Sequence, residues 1–99
     1  VASDLVDWKL ELARTLGADA TVHVAAEDIM ESLKRLCPDG PDVAMECVGS
    51  EASFRACERS VRGDGIVSIF GSILEPVEID FMYWEGHSLN VNVMREQPH

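Results

Sequence analysis

Asp4 is the residue in this sequence best placed for ligand chemistry. It follows a short apolar start, Val1 and Ala2, and precedes Leu5, Trp8, Leu12 and Leu16 at spacings of three and four. That pattern predicts a strand, a turn and an amphipathic helix. Gly17 stands where a helix end takes positive φ, and Thr21, Val22 and Val24 resume a β-rich run. A carboxylate ending a strand in such a βαβ unit can accept hydrogen bonds from both hydroxyls of an adenosine ribose, and its charge repels a 2′-phosphate. In that role Asp4 favours NAD over NADP. The competing role is local, with Asp4 or Asp7 accepting from free N–H groups at the helix start, and by residue type alone this is the commoner use.

Other residues invite chemistry with less support. The run 43–48 is apolar on both parities except at Glu46, as expected of an inner parallel strand covered on both faces. Glu46 reads as a strand-exit residue paired with a neighbouring charge or donor, and a role as catalytic base would require a partner. Gly49 follows this strand directly, where a small residue either admits a ligand to the backbone or serves a tight turn. Gly71 holds the same place after the apolar run 66–70. Gly63 and Gly65 precede a strand with no helix after them, so they form a turn and not a phosphate loop. Cys37, Cys47 and Cys57 fit no zinc motif and read as reduced, mostly buried thiols. His23, His87 and His99 stand at no i, i+4 spacing with each other or with a cysteine, so no metal site is visible.

The elements that must position these groups follow from periodicity. Residues 25–36 place Ile29, Met30, Leu33 and Leu36 on one helical face, and the turn formers of 37–42 end it. Residues 50–61 read as a helix capped by Ser50, with Phe54, Cys57 and Val61 as its buried stripe. Residues 73–80 are loop, and 81–84 an aromatic-rich turn or short helix covering the sheet edge. Leu89, Val91 and Val93 alternate with Asn90, Asn92 and Met94, which predicts a last strand.

Composition sets outer limits. Ninety-nine residues with 46% hydrophobic content make one globular unit. A formal charge of −10 argues against nucleic acid or an anionic membrane as partner. No apolar run nears the roughly 20 residues that span a bilayer, and the start does not resemble a signal peptide, so a soluble cytoplasmic protein is expected.

The pattern SD…K…LARTLGAD, then PDVAMECVGSEASF and VRGDGIVSIFGS, resembles the nucleotide-binding half of the medium-chain, zinc-dependent alcohol and polyol dehydrogenases. It does so in order and over nearly the whole chain. The resemblance implies an α/β fold, an incomplete Rossmann-type doubly wound parallel sheet, with residues 1–99 supplying strands 2 to 6 of the order 3-2-1-4-5-6. It further implies that Asp4 holds the adenosine ribose with Lys9 beside it. Val48 and Gly49 would lie against the cofactor riboses, and Phe70, Gly71 and Ser72 would line the nicotinamide carboxamide pocket. Leu89 to Met94 would form a homo-oligomer interface.

The implied function is the coenzyme-binding part of an NAD-dependent, zinc-containing dehydrogenase that moves hydride between a small alcohol or polyol and NAD. Its zinc ligands and catalytic residues would lie outside this chain, leaving the fragment inactive alone. The glycine-rich turn that holds a pyrophosphate would come immediately upstream. Without strand 1, a slot of roughly 10 Å is expected between its former neighbours. Two alternatives stand beside this reading. One is a zinc-free reductase of the same superfamily, against whose usual NADP form Asp4 counts; the other is a non-catalytic Rossmann-like dimerisation or regulatory module.

Overall fold

The computed structural model describes residues 1–94. Strands and helices alternate as β1 (Ala2–Asp4), α1 (Asp7–Thr15), β2 (Thr21–His23), α2 (Ile29–Leu36), β3 (Val43–Glu46), α3 (Glu51–Ser60), β4 (Ile66–Ile69), α4 (Phe81–His87) and β5 (Asn90–Val93). Every strand pairing is parallel, with β1 beside β2 in one sheet and β3-β4-β5 in another. The α/β class with parallel strands is as predicted. The chain divides into two compact units, Val1–Pro38 and the residues from Asp39 onward. No described helix is long and apolar enough to cross a membrane.

In the first unit, α1 packs Leu10 onto the β1-β2 pair, whose Val22 is fully covered. The stripe of Leu5, Trp8, Leu12 and Leu16 is instead exposed. A helix lying on two short strands covers them with one narrow face, and here that face is centred on Leu10. The next helix starts at Ile29, later than the expected residue 25, because Asp28 stops it from extending backward. Asp28 Oδ1 accepts from the N–H groups of Met30 and Glu31 at 2.9 and 3.2 Å, satisfying donors that a longer helix would use internally.

The second unit is built on α3. Phe54 and Val61 are buried, Cys57 is half-buried between them, and the helix lays this stripe over Ala44, Val67, Ile69 and Val91. Ser50 and Ser53 close the helix start as a reciprocal capping box. The opposite face of β3 is open, with Val43 and Met45 exposed, so the strand is covered on one face within this unit and not on both. The aromatic segment forms α4, capped by Asp80. Its Trp84 joins the core cluster, whereas Phe81 and Met82 stand exposed.

Candidate functional site

Asp4 is the last residue of β1, half-buried at the strand's carboxyl end. Its Oδ1 accepts from the N–H groups of Leu5 and Val6 at 2.7 and 2.9 Å. The helix itself begins at Asp7 with Val6 as its N-cap and no side-chain cap, so neither Asp4 nor Asp7 caps α1. Asp4 instead folds back onto the two amides that follow it, a local turn open to Asp and Asn. Both bonds fall on Oδ1, which fixes the carboxylate while leaving Oδ2 outside them. Lys9, one turn on, is exposed, with its ammonium 5.7 Å from the Trp8 ring centre. The same unit has a cleft of about 260 Å³ lined by Asp7, Leu10, Glu11, Arg14, Thr21, His23 and Glu27. Within it Arg14 lies on Glu11 at 3.0 Å and His23 beside Asp7 at 3.4 Å. Asp4 and Lys9 are not part of it.

In the second unit the structure brings together Gly49, Gly71 and Ser72 at the carboxyl ends of β3 and β4. A Cβ on Gly71 would stand 2.3 Å from the Gly49 nitrogen, and one on Gly49 would stand 2.6 Å from the Ser72 carbonyl oxygen. Gly49 also holds φ at 88°, a left-handed conformation that a side chain disfavours. Two backbones therefore touch where any larger residue would force them apart. Val48 and Phe70 flank the contact with exposed apolar side chains, 77% and 61% accessible.

Glu46 underlies all of this. It ends β3 with 1% of its surface accessible. Its Oε1 accepts from the N–H groups of Val48 and Gly49, both at 2.7 Å, and from the Ser53 hydroxyl at 2.6 Å. Its main-chain carbonyl accepts from the N–H groups of Phe70 and Gly71 at 2.7 and 3.1 Å. Oε2 is buried with no hydrogen-bond partner among the described residues. Burial is the largest single influence on this carboxyl and raises its pKa, but the Ser53 hydroxyl and the amides of Gly49, Val48 and Gly71 together hold it below the ordinary value of 4.5. Glu46 is thus an ionised, buried carboxylate at neutral pH. The strand-exit reading with neighbouring donors fits this arrangement.

Two further groups escaped sequence reasoning. Glu58 is fully buried, contacted by Arg55 at 2.8 Å, Arg59 at 3.2 Å and the Trp84 indole N–H at 2.7 Å, so it ties α3 to α4. Its position four residues after Phe54 and three before Val61 placed it on the buried stripe, and that was the available signal. Ser53, the second half of the capping box, also donates to Glu46. Burial first, then the neighbouring Glu46 and Cys47, push the Cys57 thiol up to about 11, away from the thiolate form. Among the described residues no group of three or more His, Cys, Asp or Glu side chains could hold a metal ion. The described residues therefore do not fit a zinc site.

Parallel strands alternating with helices, with an acid ending one strand and a tight glycine contact at the ends of two others, define a Rossmann-class chain. Residues 1–95 match the family described as zinc-binding dehydrogenase, and the chain belongs to that family. It is 34% identical over 82 residues to an L-threonine 3-dehydrogenase of Anaeromyxobacter dehalogenans, a match covering 82% of this chain and 24% of that protein. It is 33% identical over 72 residues to the sorbitol dehydrogenase of Bacillus subtilis, covering 72% of this chain and 20% of that one. Among solved structures it resembles the alcohol dehydrogenase of Thermus sp. ATN1, with a TM-score of 0.87 and 25% identity over 95% of this chain and 28% of the other. It also resembles a protein of Sinorhizobium meliloti 1021 described as a zinc-binding dehydrogenase and solved with NADP, with a TM-score of 0.82 and 30% identity over 92% of this chain and 28% of the other. The chain thus spans about a quarter of the length of the relatives it matches.

Proposed function

We propose that this chain is the coenzyme-holding part of an NAD-dependent dehydrogenase acting on a small alcohol or polyol, made up of strands 2 to 6 of the dinucleotide-binding domain. The observation that carries the reading is the Asp4 carboxylate, fixed through Oδ1 at the end of β1 with Oδ2 outside those bonds. A carboxylate so held accepts hydrogen bonds from neighbouring ribose hydroxyls and repels a phosphate at the 2′ position. Lys9 lies beside the same ribose. Val48 and Gly49 admit the coenzyme to the end of β3, and Phe70, Gly71 and Ser72 line the carboxamide side. NAD, when bound, supplies the hydride acceptor, and the residues of this chain bind and orient it.

The family's zinc would be held outside this chain, and no step of the proposal runs through it. The outer edge of β5, within Leu89 to Met94, serves as the homo-oligomer contact, and the enzyme works in the cytoplasm. NADP is the competing coenzyme, since one structural relative was solved with it. Coenzyme titrations of the intact protein with Asp4→Ala separate the two. Loss of NAD affinity with little change for NADP is expected, and equal binding of both by the unaltered protein would overturn the assignment.

A further inference from the structure

We infer that Glu46 is a positioning residue for the nicotinamide half of the coenzyme, because this one residue holds both chain segments between which Gly49 and Gly71 meet. The inference rests on the coenzyme reading given under the proposed function. The Glu46 carboxylate takes the N–H groups of Val48 and Gly49, and its carbonyl takes those of Phe70 and Gly71. Four amides at the strand ends are thereby turned inward toward one buried residue. These amides are then not available to a ligand, so Glu46 fixes which backbone groups and side chains at this edge can meet the coenzyme. Ser53 fixes the carboxylate in turn, from the first turn of α3.

The other oxygen of the same carboxylate adds to this. Among the described residues Oε2 is buried without a partner, and it lies 2.7 Å from where a Cβ on Gly71 would stand. A buried charge is costly, and a purely structural link between the segments could have been made by a neutral side chain. The charge instead sits directly beneath the Gly71 backbone. Glu46 acts through the two segments and does not touch the reacting atoms.

The test measures binding of NADH and of ADP-ribose, which lacks the nicotinamide, to the intact protein and to Glu46→Gln. Gln keeps one acceptor oxygen but places an NH₂ group, without charge, against Gly71. NADH affinity is expected to fall about tenfold, the scale of one charge-assisted hydrogen-bond set, with ADP-ribose affinity nearly unchanged. Glu58→Gln, an equally buried carboxylate that joins α3 to α4, controls for stability and should leave the NADH to ADP-ribose ratio intact. Ser53→Ala is the milder variant should Glu46→Gln not fold, and a selective loss of NADH affinity in it supports the inference. Parallel loss of both ligands, or no loss of either, in the folded variant overturns the positioning role while leaving the coenzyme reading in place. If the unaltered protein binds neither ligand, the coenzyme reading itself fails and the inference falls with it.

Discussion

The Gly71 backbone passes so close to Gly49 that a single methyl decides whether the two segments can meet. Gly71→Ala would set its Cβ 2.3 Å from the Gly49 nitrogen, a backbone atom, and 2.7 Å from Glu46 Oε2, on a carboxylate held by the Val48 and Gly49 amides and the Ser53 hydroxyl. The substitution is expected to destabilise the second unit by about 1–3 kcal/mol, the cost of overpacking a site that cannot yield. A urea titration against the unaltered protein checks this, and an unchanged midpoint would show that the loops separate easily. The glycines themselves were legible in the sequence, because a small residue directly after an apolar run marks a strand exit. Their mutual contact was not, since it joins positions 49 and 71 through a sheet register that no local pattern records. The same holds for Glu46. Its polarity in an apolar strand was visible, but its donors come from a turn, a helix and the exit of a neighbouring strand.

At the level of elements, helix starts are where side-chain chemistry overrode periodicity. Asp28 ends the backward reach of α2, and the Ser50 and Ser53 box starts α3, so caps and not apolar spacing set these boundaries. Ser50→Ala is expected to cost about 1 kcal/mol and to lower the melting temperature by a few degrees. Glu58 carries more. Glu58→Ala would leave Arg55 and the Trp84 indole facing a gap between α3 and α4, with an expected loss of about 3 kcal/mol or more. Thermal melts of the two variants side by side check the order, and a smaller loss for Glu58→Ala than for Ser50→Ala would contradict the role given to this pairing. The buried face of α1 misled the periodic reading. Leu5, Trp8, Leu12 and Leu16 form a regular stripe, yet the contact with β1 and β2 is made by Leu10, because spacing alone does not say which face a short two-stranded sheet will cover.

For the molecule as a whole, buried carboxylates shape the response to pH. Glu46 and Glu58 both titrate below the ordinary carboxylate value of 4.5 in the fold. A group whose folded pKa is depressed contributes stability above its unfolded pKa and loses it as pH falls through the folded one. Stability is therefore expected to hold from neutral pH down to about 5 and to fall progressively below 4.5, with Glu46→Gln and Glu58→Gln each flattening that fall. Denaturation followed from pH 7 to 3 measures it, and an acid limb equally steep in both variants would assign the sensitivity elsewhere. The alternation of short apolar or β-rich runs with helical patterns was readable along the chain, and the parallel doubly wound sheet was what the family resemblance implied. The division into two compact units was not, because it depends on which strands pair across long stretches of chain. The most direct measurement is calorimetric titration of the intact protein and its Asp4→Ala variant with NAD and with NADP. NAD is expected to bind more tightly than NADP, with about a tenfold loss of NAD affinity in the variant. Equal or tighter binding of NADP by the unaltered protein, or NAD affinity untouched by the substitution, would contradict it.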